Sequence, residues 1–403
     1  MKNIFIVYAV LFGAFIGISL PLPLLGPLIL SEDSPFSLAF DQRYLFLSLA
    51  LAAFPLGNLI GAPVMGYISD RLGEKLLLLL GLLGASLFYV LSGFAIAQGN
   101  YFLLLASRFL CGLCEGNAAI AQSYIAKDAD PAQKPKLMGS MIAVISVGYV
   151  AGPLIGAFFT NAHLVPYASM ALPFYFVAAF LLLTAVFVAI RFKNTSHLGN
   201  SSVSSLSVGF KQLFQQTIFT RLIILTILLA IGRSLYIDFL SSYLKVHFAM
   251  TTDQSTWLWV LLAIIWGATA LFCDFAKKRL SYEAKMTLAC VLAGTCVIFL
   301  AFSDSILTTT LLSILIVFGL ALAGAINAVL VSDSASKAHM GLAMGILSST
   351  YLCGEVAACF GGGFLLRLSD EAPFIMSGSF LWVASAGFLL LGWRAKKHQP
   401  IRI

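Results

Sequence analysis

Uninterrupted apolar stretches of membrane length recur from one end of this chain to the other, and that repetition limits the fold more than any motif does. A bilayer core takes about 20 consecutive apolar residues per helix. Twelve such stretches can be read, at approximately 4–30, 42–69, 75–97, 101–126, 136–160, 170–192, 218–243, 256–277, 283–302, 306–330, 338–367 and 374–393. Of 403 residues, 60% are hydrophobic and 10% charged, and the mean hydropathy is +0.97. Soluble domains carry about 25% charged residues, and a membrane β-barrel would show short alternating segments. The expected fold is an all-α membrane protein with twelve transmembrane helices.

The net charge of +7 would suit nucleic acid, but its distribution argues against that partner. With the N-terminus in the cytoplasm, inside loops and tails hold 19 of the 24 Lys and Arg residues. The outside holds Arg43, Lys245 and Arg367, and two more, Arg108 and Arg233, fall within spans. The positive-inside rule then sets both termini in the cytoplasm, and a bacterial inner membrane is the expected location. The N-terminal stretch is too long for a signal-peptide core and lacks a small-residue cleavage site, so it reads as a retained first helix. All seven cysteines fall in predicted helices and form no disulfide framework. Cys111-x-x-Cys114 reads as small-residue packing. The glycosylation patterns at Asn194 and Asn200 lie in an inside loop and are discounted.

Residues 193–217, rich in Ser, Asn and Gly, form the one long polar stretch and read as a flexible cytoplasmic linker. Part of it, "VGFKQLFQQTIF", has the pattern of an interfacial helix. The linker divides the spans six and six, giving an N-terminal bundle over 1–192 and a C-terminal bundle over 218–403. The halves repeat one another. "GSMIAVISVGYVAGPLIGAFF" aligns without a gap on "GILSSTYLCGEVAACFGGGFL", setting Gly139, Gly148 and Gly156 on Gly345, Gly354 and Gly362. Gly116 falls near Gly324, Gly17 on Gly232, and Asp70 on Asp274. Parallel six-helix repeats with a site between them belong to a large class of secondary transporters.

Three motifs make the resemblance specific. "GYISDRLGEKLLL", from Gly66, is similar to the loop between the second and third helices of the major facilitator superfamily. "RFLCGLCEG", Arg108 to Gly116, resembles that superfamily's fourth-helix motif. Gly139-x8-Gly148-x3-Gly152-Pro153-x2-Gly156-Ala157 resembles its fifth-helix antiporter motif, with Ala157 in place of the last Gly. Together they resemble the twelve-helix drug:proton antiporter branch, which implies two pseudo-symmetric six-helix bundles. The resemblance implies that Gly66, Asp70, Arg71, Gly73 and Lys75 form a cytoplasmic latch that helps hold the outward-open state. Glycines permit the tight turn, and Asp70 suits helix N-terminal amides. Gly148, Gly152 and Gly156 share one helix face, and small residues at that spacing let backbones meet closely. Pro153 cannot donate to the carbonyl of Tyr149, which favours a kink. Pro21, Pro23 and Pro27 break the outer end of the first span. The membrane-embedded acid often seen in the first helix of multidrug members is missing here.

Ionisable groups inside a membrane are expensive and line polar cavities. Five qualify: Arg108 and Glu115 in the fourth span, Arg233 and Asp238 in the seventh, and Glu355 in the eleventh. In the superfamily the first, fourth, seventh and tenth helices line the central cavity. Glu115, Arg233 and Glu355 lie about 21 Å along their spans, near the midplane. Similar depth pairs Arg108 with Asp238 nearer the outer side and leaves Glu115 and Glu355 competing for Arg233. Three acids and two arginines leave one acid over, and an unpaired carboxyl in low dielectric takes up a proton more easily. Glu115 is the favoured carrier, because it shares the fourth span with the motif arginine. Tyr8, Phe12, Phe15, Asn58, Asn117, Tyr236, Trp266, Asn327 and Tyr351 are candidates to contact substrate, although for each alone packing or an interface anchor is the commoner role.

No phosphate-binding loop, H-E-x-x-H pattern or nucleophile elbow is present in the sequence. The expectation is a transporter without enzymatic activity, cofactor or metal, acting as a monomer in the bilayer. It would export a small organic compound in exchange for protons by alternating access. A proton symporter importing a nutrient, metabolite or iron-chelate, and a non-transporting membrane receptor, are the alternatives.

Overall fold

The computed structural model describes residues 3–39, 42–117, 120, 121, 124, 134–192, 211–272, 281–335 and 340–397. The helices are α1 (Ile4–Ser19), α2 (Pro21–Leu30), α3 (Arg43–Leu72), α4 (Glu74–Ala97), α5 (Tyr101–Cys114), α6 (Lys134–Thr160) and α7 (Leu172–Arg191). They continue with α8 (Thr217–Phe248), α9 (Thr252–Phe272), α10 (Tyr282–Ala301), α11 (Ile306–Ser334), α12 (Met340–Leu366) and α13 (Ala372–Lys397). Among the described residues, ten helical segments are long and apolar enough to cross a membrane, with α1 and α2 counted as one. Two shorter apolar helices, Tyr101–Cys114 and Gln254–Thr269, fall at the fourth and eighth expected spans. The protein is an integral, all-helical membrane protein, and its helices follow the twelve expected spans.

Two breaks in these helices have plain causes. In the first span the hydrogen bonding, and not the helical path, is interrupted at Pro21: Leu20 keeps φ −54° and ψ −46° and donates to Ile16 O at 2.9 Å. Pro21 and Pro23 cannot donate to the carbonyls of Gly17 and Ser19. Arg43 donates from Nη1 to the carbonyl oxygens of Leu30 and Ser31, covering the C-terminal end of α2. The fourth span, expected to run unbroken over 101–126, leaves regular helix at Cys114. Glu115 has φ −80° and ψ 12°, and its N–H donates to the carbonyl of Gly112 at 3.1 Å. Helical bonding resumes with Ile120 donating to Gly116 at 3.2 Å. An acidic residue with the superfamily-motif glycines on either side occupies that short turn.

The α3–α4 connection is a single residue, Gly73, with φ 89° and ψ 149°. Residues with a Cβ rarely adopt that backbone, and forcing one there costs about 1–3 kcal/mol. Gly73→Ala is therefore expected to lower thermal stability in detergent by about that amount; an unchanged Tm would show that the turn adapts. The side chains of Asp70 and Arg71, and Gly66 beyond its helical backbone, lie outside the described residues.

Close contacts divide the chain into two compact units, Met1–Ser201 with Ser241–Ala263, and Ser202–Leu240 with Ile264–Ile403. Most of the expected linker, 193–210, lies outside the described residues, as do Asp274, Lys277 and Lys278. In the first unit α3 packs on α5, α4 on α5 and α7, and α1 on α6. In the second, α10 packs on α11 and α13. Glycine permits the α3–α5 contact: Gly57, Gly61 and Gly112 lie directly against the backbone carbonyls of Phe109, Leu113 and Phe54.

The internal repeat has a structural counterpart in each unit. In the first, Gly148 and Gly152 of α6 lie against α1. A Cβ at Gly148 would meet Phe12 O at 3.1 Å, and one at Gly152 would meet Leu20 N at 2.8 Å and Ile16 O at 2.9 Å. In the second, Gly354 and Gly362 of α12 lie against Ala230 and Phe239 of α8. Of the glycines that align in sequence, the Gly148–Gly354 pair thus presses on the first helix of its own half in both cases.

Candidate functional site

Two clusters of polar side chains are built into the membrane-spanning helices, one in each unit. In the second unit α8 supplies Thr226, Arg233 and Asp238, α11 supplies Asn327, and α12 supplies Tyr351, Glu355 and Cys359. The three α12 residues are four apart, so they share one face. Arg233 Nη2 lies 3.8 Å from Glu355 Oε2, and its guanidinium carbon lies 5.2 Å from the centre of the Tyr351 ring. Asn327 is fully buried; its Nδ2 donates to Thr226 Oγ1 at 2.9 Å and to Tyr351 Oη at 3.1 Å. Cys359 Sγ donates to Asp238 Oδ2 at 3.5 Å. Asp238 interacts electrostatically with both Arg233 and Glu355. Two carboxyls therefore share one arginine here.

In the first unit Arg108 of α5 is 4% exposed, with its guanidinium carbon 4.7 Å above the Phe54 ring. Its Nε and Nη1 have no hydrogen-bond partner from the protein. Glu115 is 3% exposed, and its Oε1 likewise has none. Among the described residues, both amide atoms of Asn117, 1% exposed, are in the same condition, as is Asn58 Oδ1; the fully buried Tyr89 hydroxyl is directed at Arg108 and Cys111. Arg108, Cys111 and Glu115 interact electrostatically with Tyr89. The Asn117 amide lies against Gly81, and Cys114 Sγ is 2.6 Å from where a Gly84 Cβ would stand. The strip therefore follows the α4–α5 contact.

This arrangement corrects the pairing inferred from depth. Within the second unit Asp238 is grouped with Arg233 and Glu355, and the pair formed by Arg233 is with Glu355. Arg108 has Glu115 as its carboxylate neighbour. Depth along a helix was legible, but the direction in which each side chain leaves its helix was not.

The remaining candidates are placed as follows. Tyr8 hydrogen-bonds Ser140 and donates to Leu137 O at 3.5 Å, joining α1 to α6. Phe12 meets Phe180 edge-on at 5.8 Å, and Phe15 lies 5.3 Å from Tyr149. These three residues are held in helix packing. Tyr236 is fully buried against Phe374, with its hydroxyl directed at Ser313. Trp266 is partly buried on α9. The sequence reading missed Tyr89, Cys111, Thr226 and Cys359. For Cys359 the signal was its spacing of four from Glu355; for Tyr89 it was a hydroxyl inside an apolar run.

Comparison with known proteins agrees with this architecture. The chain is 27% identical over 400 residues to the "Quinolone resistance protein NorA" of Staphylococcus aureus (strain MSSA476), covering 97% of this chain and 96% of that protein. It is 26% identical over 395 residues to the "Multidrug resistance protein 1" of Bacillus subtilis (strain 168), covering 96% and 95%. Among solved structures, its fold is similar to that of a bacterial homologue of the human lysosomal transporter Spinster, in an inward-facing and occupied conformation. The TM-score is 0.76 at 13% identity, with 99% of this chain and 98% of that one covered. A D-xylose-proton symporter matches with a TM-score of 0.75 at 14% identity, covering 96% of each chain. The family model of the Major Facilitator Superfamily matches residues 7–358. With that match across most of its length, and with the superfamily's fold, the chain belongs to the Major Facilitator Superfamily.

Proposed function

We propose that this transporter exports a small organic compound or drug from the cytoplasm in exchange for protons, by alternating access in a bacterial inner membrane with both termini inside. The observation that carries the reading is the full-length similarity to two resistance proteins. The antiporter-type glycine face of α6, packed on α1, supports it. Quinolones are the first substrate class to test, by analogy with the staphylococcal relative. The protein works as a monomer of two six-helix bundles, 1–192 and 218–403, joined by the linker.

Coupling rests on the buried acids. Glu355 has Arg233, and Asp238 has the Cys359 thiol as donor. Glu115 is the acid with an oxygen unpartnered by the protein and almost no exposure. Arg108 acts on Glu115 without an ion pair or hydrogen bond between them among the described residues; a buried carboxylate so poorly compensated is costly, so Glu115 is best held with its proton, which substrate binding displaces. Adding a fluoroquinolone to purified protein in weakly buffered detergent should therefore release protons, read with a pH indicator. Binding without proton release would contradict antiport.

The latch is assigned to Gly66, Asp70, Arg71, Gly73 and Lys75. Asp70→Asn is expected to shift cysteine accessibility toward inward-open while expression stays intact. Unchanged accessibility together with unchanged transport would remove the latch.

A further inference from the structure

A cavity of about 470 Å³ lies where α2 and α8 end, within the first compact unit. Sites that take drug-sized molecules run from about 300 to 1,000 Å³. Pro27, Leu28, Met170 and Val246 give this one apolar walls. Ala249 also lines it, with φ 51° at a helix end that glycine usually fills, and Met250 N–H donates back to Leu244 O at 3.2 Å.

The same cavity is lined by charges of both signs. Glu32 and Asp33 come from the connection between α2 and α3, and Lys245 from the last turn of α8. Among the described residues, Lys245 forms an ion pair with neither acid. The acidic segment is held in place by its own backbone: Arg43 donates to the Leu30 and Ser31 carbonyls, and Ser34 N–H to Ser31 O at 3.1 Å. The two walls are joined beside the cavity, where a Cβ at Gly26 would meet Ser242 N at 3.0 Å and Ser242 Cα at 3.2 Å. Opposite charges thus line one space on two touching helices and stay unpaired.

This restricts what the space accepts. A simple cation would meet Lys245, and a simple anion would meet two carboxylates. An uncharged apolar molecule would answer none of the three. A molecule with an ammonium and an acidic group on an apolar body answers each wall. The C-terminal end of α8 carries partial negative charge, which also favours the ammonium.

We infer that this cavity is a binding site for an amphipathic zwitterion. Glu32 and Asp33 hold its ammonium, Lys245 its phosphate or carboxylate, and Pro27, Leu28 and Val246 its apolar part. A phospholipid headgroup and a free solute both offer this chemistry. The site depends neither on the direction of transport nor on which acid carries the proton.

The test is acylation of lysines in the intact protein in maltoside detergent with an N-hydroxysuccinimide acetate, read residue by residue by mass spectrometry. Lys211, exposed before the opposite end of α8, is the control. The probes are dihexanoyl phosphatidylcholine for the headgroup and levofloxacin for the solute; the reagent acylates the nitrogen of neither. At least one should slow the acylation of Lys245 several-fold and leave Lys211 unchanged, and the one that does identifies the source. Glu32→Gln with Asp33→Asn, two exposed positions, should abolish that protection. Three results would each overturn the site: no protection by either probe, protection that persists in the double variant, or equal protection by hexyltrimethylammonium or hexyl phosphate, which carry one charge each.

Discussion

Replacing Glu115 with glutamine is expected to abolish transport driven by a pH gradient, down to the level of protein-free liposomes, while substrate binding and passive exchange continue. Glutamine keeps the shape of the carboxyl and removes its ability to exchange a proton. Glu115 occupies the turn between the two helical parts of the fourth span, with Oε1 unpartnered by the protein. Glu355→Gln is expected to weaken coupling without abolishing it. That substitution leaves Arg233 and Asp238 facing each other, and one carboxyl per arginine remains. Removing a partner from a buried charge is costly, so this variant should also be less stable. Coupled transport retained in Glu115→Gln but lost in Glu355→Gln would move the carrier to the second cluster. Retention in both would exclude both residues.

The second large effect is expected at Gly152. Leucine there has to occupy space held by α1: a Cβ alone would meet the Ser19 hydroxyl, Leu20 N at 2.8 Å and Ile16 O at 2.9 Å. Two of those are backbone atoms and cannot rotate away. Overpacking of this kind costs about 1–3 kcal/mol, and the helices must separate at the break in the first span. Gly152→Leu should therefore lose nearly all transport while remaining folded, with Tm lowered. Gly156→Ala is the control. Its Cβ would stand 3.7 Å from the Leu24 side chain, an ordinary contact, so transport should be close to normal. Wild-type turnover in Gly152→Leu would show that α1 and α6 do not need their close approach.

Much of this architecture was legible because each relevant signal is one-dimensional. A membrane span needs a run of apolar residues, and the runs were countable. Gly73 had to accept a backbone that other residues avoid, and Pro21 and Pro23 had to break hydrogen bonding in the first span. The four-residue spacing of Gly148 and Gly152 predicted a close helix contact, and α1 is what they contact. The polar clusters were legible as a set of residues and not as a set of pairs. Depth follows from counting along a helix at about 1.5 Å per residue, whereas pairing depends on the direction each side chain faces after packing. Asp238 and Arg233 are five residues apart on α8, and the face of α12 carrying Glu355 and Cys359 brings them into one group. The interruption at Glu115 was hidden for another reason. The turn-forming types Gly116 and Asn117 follow it, but the apolar runs on both sides read as one continuous span.

Antiport is tested most directly by recording substrate and internal pH together in proteoliposomes under imposed gradients of opposite sign. A fluoroquinolone should accumulate in vesicles that are acidic inside, with the lumen becoming more alkaline as it enters and the two fluxes opposed. Reversing the gradient should reverse both, and Glu115→Gln should show neither. Substrate accumulating in vesicles that are alkaline inside, with protons moving in the same direction, would establish symport and contradict the account.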